Sequence, residues 1–270
     1  MNVFRQSILL IAGPLLLLCG SVCIAQAVAP PALAAATEPI STDRPSVATG
    51  TALVPVHTLQ FENGINWTRD QSTNSGDAPE TELRFGLTNR VEIEAFVPNL
   101  NWSGAFSGVR TTDFSLGAKV RIASDKRNWP VSIVGALTFP TGSQELTSGG
   151  VDPVALVTVQ HNLPHNFQLV GSGTLASLST NGSGRVAQSQ LAFDLGWCAN
   201  ARTCFYAEEA PFLSTAQNSS GTTTDGGMTF GVTTRTQVDW RVGTTVENGD
   251  HSFFATLGYS FRLDHLRPRH

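Results

Sequence analysis

The chain has 270 residues, a formal net charge of −4 and only 14% charged residues. This balance excludes the basic surface that nucleic-acid binding requires. A mean hydropathy of −0.01 argues against a bundle of membrane-spanning helices, which would need several long apolar runs. The length fits one large all-β domain.

The N-terminus has the features of a secretory signal peptide. Arg5 is followed by an apolar run over residues 8–18, and small residues precede two candidate cleavage sites, after Ala27 and after Ala36. We therefore expect residues 1–36 to be a signal peptide and the mature protein to be exported.

An extended lead-in at residues 37–56 comes next, and strands follow it. The strand signature is a strict alternation of apolar and polar residues. It is clearest in the last strand, where Phe253, Ala255, Leu257, Tyr259 and Phe261 share one face. In chain order the predicted strands are 57–69, 80–88, 91–97, 112–122, 129–139, 153–160, 167–177, 190–198, 204–210, 228–235, 237–247 and 251–261.

The connections between these strands alternate between long and short. The long ones are 70–79, 98–111, 140–152, 178–185 and 211–227; the short ones are 89–90, 123–128, 161–166, 199–203 and 236; only the last hairpin, at 248–250, breaks the rhythm. Outer-membrane barrels pair short periplasmic turns with longer external loops and have an even number of strands. We predict an antiparallel transmembrane β-barrel of about 12 strands over residues 57–263, with a tail at 264–270. A soluble β-sandwich is the alternative.

In such a barrel the apolar face contacts lipid and the charged face points into the lumen. The predicted lumen residues are Glu62, Glu82, Arg84, Glu92, Glu94, Asp113, Lys119, Arg121, Arg235, Asp239 and Arg241. They form either a salt-bridge network that stiffens the wall or a constriction that selects solutes by charge. Asp43 and Arg44 of the lead-in could reach the barrel mouth as a gate.

Two cysteines remain after cleavage, Cys198 and Cys204. An even pair in an exported chain predicts a disulfide, here across a short hairpin turn. The histidines lie at strand starts, turns, loops and the tail, and the sequence contains no G-x-S-x-G or H-E-x-x-H motif. We therefore expect no enzyme, no metal site and no cofactor.

Several motifs resemble an outer-membrane transporter family labelled "MetA-pathway of phenol degradation". They are Ser41-Thr42-Asp43-Arg44-Pro45-Ser46, Leu59-Gln60-Phe61-Glu62-Asn63-Gly64, the run from Glu82 to Glu92, Gln237-Val238-Asp239 and Gly258-Tyr259-Ser260-Phe261. The resemblance covers most of residues 40–263. It implies a Gram-negative outer-membrane barrel that passes small molecules, with aromatic or hydrophobic compounds as candidates. One feature differs from the usual pattern of such barrels: nine residues follow Phe261, whereas the terminal aromatic residue is usually the last one.

The sequence thus predicts an outer-membrane channel for diffusive passage of small molecules. A structural or adhesion barrel without transport is the first alternative, and a lipid-modifying enzyme is the second. The expected partners are outer-membrane lipid, an unidentified small solute and the barrel-assembly machinery, which would read the C-terminal strand ending at Phe261; nucleic acid is not expected.

Overall fold

The computed structural model describes residues 38–71, 73–104, 108–123, 128–180, 184–264 and 266. The predicted signal peptide lies outside these residues. The described strands are β1 (Leu59–Asp70), β2 (Thr73–Ala78), β3 (Glu82–Gly86), β4 (Val91–Phe96), β5 (Leu100–Ser103), β6 (Val109–Thr111), β7 (Phe114–Ala123), β8 (Val131–Phe139), β9 (Asp152–Asn162), β10 (Phe167–Ser179), β11 (Arg185–Cys198), β12 (Thr203–Ser214), β13 (Ser219–Thr233), β14 (Thr236–Glu247) and β15 (Asp250–Leu263). Two short 3-10 turns lie at Pro164–Asn166 and Ala216–Asn218. Within the described part of the chain, no helix has the length and apolar character needed to cross a membrane.

Twelve of these strands close into an antiparallel barrel, which confirms the predicted fold. The order around the wall is β15-β14-β13-β12-β11-β10-β9-β8-β7-β4-β3-β1, and β1 pairs with β15 to complete the circle. The closing pair runs without interruption from Leu59 opposite Leu263 to Asp70 opposite Ser252. A closed barrel leaves no unpaired sheet edge for lipid to cover.

Three short strands extend the wall at the end with the long loops. Three stretches of the wall are each divided into two consecutive strands. β2 is followed by β3 after a break at Pro79, β4 by β5 after a break at Pro98, and β6 by β7 after a break at Asp113. A proline has no N–H to donate, so it interrupts a ladder where it falls. Sequence reasoning assigned 70–79, 98–111 and 211–227 to loops, but at least half of each range is strand. Small and polar residues there weaken the apolar alternation, whereas backbone pairing continues through them.

The two faces of the wall follow the predicted parity. Large apolar residues such as Leu116, Phe193 and Leu257 are exposed on the outside, Leu257 to 63%. The buried residues are mostly polar or charged, which is the reverse of a water-soluble protein. This arrangement places apolar side chains against lipid and polar ones in the lumen.

The hairpin of β11 and β12 carries the predicted disulfide. Cys198 and Cys204 face each other in the strand register and are covalently joined. The turn between them is ordered by Asn200, whose Oδ1 accepts the backbone N–H groups of Arg202 and Thr203. Just above the turn, Trp197 stacks on Phe205 with ring centroids 6.1 Å apart, as expected for an aromatic belt at a membrane interface.

Candidate functional site: the lumen and the lead-in segment

The lead-in segment, defined as Glu38–Val56, lies inside the barrel. Near its start, the N–H of Ile40 donates to the carbonyl of Thr234 in the short β13–β14 turn (2.9 Å). At its end, Val56 forms a parallel bridge with Gly86, at the end of β3 next to another short turn. The segment therefore enters and leaves the lumen at the short-turn end, which faces the periplasm in barrels of this class.

Wall carboxylates hold the lead-in segment by its backbone. Three of them accept hydrogen bonds from five of its N–H groups: Glu62 from Asp43 (2.9 Å) and Arg44 (3.1 Å), Glu208 from Val47 (2.8 Å) and Ala48 (2.6 Å), and Glu92 from Val54 (2.5 Å). Hydrogen bonds to an ionised acceptor are stronger than neutral ones. The three carboxylates lie on β1, β12 and β4, so the segment is fixed from different sides of the barrel.

Arg84 joins the wall network to the lead-in segment. Its guanidinium donates to Glu62 (2.9 Å) and to Glu92 (2.7 and 2.9 Å), and it is fully buried. The same group donates to the backbone carbonyls of Ser41 (3.3 Å) and Ala52 (2.9 Å). One side chain thus binds two wall carboxylates and both arms of the lead-in segment, which the five-donor fork of arginine permits.

Lys119 forms a second buried pair with the lead-in segment. Its Nζ donates to both oxygens of Asp43 (2.6 and 2.9 Å) and lies 3.9 Å from Glu92 and 3.8 Å from Glu94. The oxygens of Asp43, Glu92 and Glu94 are within 4.8 Å of one another, close enough to hold a metal ion. The ammonium of Lys119 already supplies the cation at this position.

On the lumen side, the side chain of Arg44 covers a short interval of β1 that pairs with neither β2 nor β3. β1 pairs with β3 through Glu62 and with β2 only from Asn66 onward. In this interval the Arg44 guanidinium lies against Gly64, where a Cβ would be 2.3 Å from Nη2. Arg44 Nη1 is 2.7 Å from Glu80, and Nη2 is 3.6 Å from Asp239. Burial lowers the pKa of Arg44, but the carboxylates of Glu80, Asp239 and Glu62 together outweigh it and hold the pKa above its usual value.

The far side of the lumen also binds the lead-in segment. Arg241 donates to the carbonyl of Pro45 (3.2 Å) and to Asp225 (2.8 Å). The carbonyl of Thr51 accepts from Ser132 (2.9 Å) and Arg121 (3.3 Å). Lumen side chains at this level are buried on β1, β3, β4, β7, β8, β9 and β12. The lead-in segment therefore contacts the wall on several sides of the lumen.

The structure brings most of the predicted lumen residues together. Those that face the lumen are Glu62, Glu82, Arg84, Glu92, Glu94, Lys119, Arg121, Asp239 and Arg241. The predicted gate residues Asp43 and Arg44 both lie among them.

Two predicted lumen residues lie elsewhere. Asp113 accepts hydrogen bonds from Gly142, Thr147 and Ser148, so it orders the loop after β8. Arg235 lies in the β13–β14 turn, where its half-exposed side chain pairs with Asp264 (2.6 Å). The prediction for Arg235 was wrong because the strand ends two residues earlier than the sequence indicates, at Thr233.

Sequence reasoning missed Glu208 and Asp225, which face each other across β12 and β13. Glu208 is followed by Glu209, and because both are acidic the sequence did not indicate which of the two faces the lumen. Asp225 falls in a stretch assigned to a loop. The side chains of Phe205 and Ala207 point outward. Extending this alternation by one residue would have predicted that Glu208 points into the lumen.

Comparisons with known proteins agree with this fold. A family described as "Putative MetA-pathway of phenol degradation" matches residues 42–263. The crystal structure of the COG4313 outer membrane channel from Pseudomonas putida F1 is similar, with a TM-score of 0.62 and 15% identity over 78% of this chain and 97% of that one. The NanC porin (TM-score 0.54, 12% identity, 76% and 100% coverage) and the KdgM porin in complex with disordered oligogalacturonate (0.53, 9%, 75% and 99%) are also similar. No curated protein sequence matches. Because the family match spans most of the chain, the protein belongs to this family of outer-membrane β-barrels.

Proposed function

We propose that this protein is an outer-membrane channel for small molecules and that the lead-in segment is its gate. The observation that carries the proposal is the set of five lead-in amides bound by three wall carboxylates. Hydrogen bonds to charged groups contribute about 1.5–3 kcal/mol each, because water replaces them when they break. A segment held in this way can leave the lumen without unfolding the wall, whose backbone ladders do not depend on it.

The charges of the opened lumen favour cations and neutral solutes. Around Arg84 and Lys119 the wall places the four carboxylates of Glu62, Glu82, Glu92 and Glu94. An excess of acidic groups at a constriction disfavours anions. The KdgM porin is described in complex with oligogalacturonate, a polyanion; this lumen is unsuited to such a ligand.

The part of the lumen beyond the lead-in segment combines apolar and polar side chains. Ala176, Phe212 and Phe254 point inward there, among polar residues that include Gln188, Ser214 and Ser219. Ligand sites of this kind combine an apolar lining with a few polar groups. Together with the family description, this lining supports small aromatic or hydrophobic compounds as the solutes.

We predict that Arg44→Ala increases the open fraction of the channel. The change removes the pair with Glu80 and the contact with Asp239, worth about 2 kcal/mol together, or roughly a 30-fold shift in the closed-to-open ratio. Single-channel recording in planar bilayers measures this shift. Arg202→Ala, in an exposed turn, is the matched control and should behave like the unaltered protein. Equal open fractions for Arg44→Ala and the control would contradict the gating role, and silence in every variant of the folded protein would contradict a channel.

A further inference from the structure

The pairing of β11 with β12 is interrupted in the middle of both strands. The residues without a partner across this interface are Leu191 and Ala192 on β11 and Ala210 and Pro211 on β12. The pairs on either side keep one register, so the interruption is not a bulge. Pro211 retains its partner Thr222 on β13, but it has no N–H to donate toward β11. We call this interruption the Pro211 gap.

On the lumen side the gap is covered only by small apolar groups. Ala192 and Ala210 are 1% and 0% exposed and form a cluster with Val170 and with Ala48 of the lead-in segment. Most other lumen contacts of the lead-in segment are polar. With the segment in place, the inner cover of the interrupted ladder consists of the methyl groups of Ala192, Ala210 and Ala48 and the side chains of Val170 and Val47.

On the outer side a carboxylate stands beside the gap. The side chain of Glu209 is exposed on the lipid face and accepts hydrogen bonds from the hydroxyls of Thr222 and of Thr224 (2.7 Å). Glu209 lies four residues beyond Phe205 of the aromatic belt, which places it roughly 10 Å into an apolar band about 25 Å tall. An ionisable residue at such a depth is costly and indicates a function.

A groove adjoins the gap on the outside of the barrel. It is shallow and open to the outside, and Pro211, Leu213, Thr222 and Val246 contribute to its lining. A weakened ladder, a thin apolar cover inside and a groove with a polar edge outside therefore coincide at one place in the wall.

We propose that the Pro211 gap is a lateral port through which small apolar molecules pass from the lumen into the lipid. The proposal rests on the proposed channel function and adds the exit route. The lead-in segment blocks the axial path toward the short-turn end, so a solute that enters from the long-loop end meets the gap before any periplasmic opening. Glu209, Thr222 and Thr224 give the outer rim hydrogen-bonding groups, which accommodate a solute that carries one hydroxyl.

A disulfide staple across the gap tests the port. The pairs on either side of the gap, Gln190 with Phe212 and Phe193 with Glu209, keep one register and place Ala192 opposite Ala210, so A192C/A210C should form a bridge. The matched control S172C/A192C bridges the uninterrupted β10–β11 pair at the same level. The probe is N-phenyl-1-naphthylamine, which fluoresces in lipid and enters intact Gram-negative cells slowly. Cells that make the unaltered protein should take up the dye faster than cells with an empty vector.

We expect oxidised A192C/A210C to lose this increment, while S172C/A192C keeps it. Pro211→Val, which restores an N–H to the ladder, should reduce the increment without any added thiol. Undiminished uptake through the stapled barrel overturns the port, as does uptake by the unaltered protein no faster than the vector. Ion conductance in planar bilayers separates this proposal from the channel function. If the unaltered protein shows conductance steps but no dye uptake above the vector, it is a channel without a lateral port. If no folded variant shows conductance steps, both the channel and the port are refuted.

Discussion

Replacing Arg84 by alanine is expected to destabilise the barrel and to release the lead-in segment. Arg84 is fully buried and binds the carboxylates of Glu62 and Glu92. Removing one partner of a buried ion pair leaves an uncompensated charge and costs about 3–5 kcal/mol. The same change removes the donors to the carbonyls of Ser41 and Ala52, so both arms of the lead-in segment lose an anchor.

Two measurements check the Arg84→Ala prediction. The free energy of unfolding by urea in lipid vesicles should fall, and conductance in planar bilayers should rise because the lumen opens to water. Arg84→Lys should restore the charge but only part of the stability. A lysine ammonium cannot bind both carboxylates and both backbone carbonyls at once, as the guanidinium does. A variant with unchanged stability and unchanged conductance, like an Arg202→Ala control, would show that the buried network does not hold the segment.

The second large effect is expected for Gly86→Val. A Cβ at residue 86 would lie 2.1 Å from the carbonyl oxygen of Pro55 and 2.6 Å from that of Val54, and both are backbone atoms of the lead-in segment. The added side chain therefore displaces the end of the segment, with a strain of about 1–3 kcal/mol before it moves. Conductance should rise although no charge has changed, which separates displacement of the segment from electrostatic effects.

Gly135→Val is the matched control for this substitution. A Cβ at residue 135 meets no atom within 4 Å, because the residue faces outward on β8. The control should assemble with normal stability and normal conductance. If Gly86→Val lowers the free energy of unfolding relative to Gly135→Val but conducts like the unaltered protein, the displaced segment does not limit flow and the gate is refuted.

The wall could be predicted from sequence because alternation is a local signal. Each of the predicted strands corresponds to one wall element, and residues such as Glu62, Arg84 and Lys119 face inward as their parity requires. The sequence could not reveal β2, where residues on both faces are small or polar, or β5 and β6, which are only four and three residues long. It also left Glu208 unassigned, because two consecutive acids fit either parity.

The position of the lead-in segment could not be predicted in the same way. Its placement depends on contacts between residues far apart in the chain, such as Val47 with Glu208 and Asp43 with Lys119. The sequence offered only the suggestion that Asp43 and Arg44 could reach the barrel mouth. The structure changes the interpretation of the lumen charges: many of them bind the lead-in segment, so salt bridging and control of passage belong to one network.

Conductance of a chain that lacks residues 38–54 tests the central claim most directly. The full-length mature protein and the shortened one are compared in planar bilayers, and a synthetic peptide of residues 38–54 is then added to the side that carries the short turns. If the lead-in segment is the gate, the shortened protein should show larger conductance steps than the full-length mature protein. The peptide should reduce these steps when it is added to the short-turn side and should have no effect from the opposite side. Equal steps from the two proteins, with no response to the peptide, would contradict it.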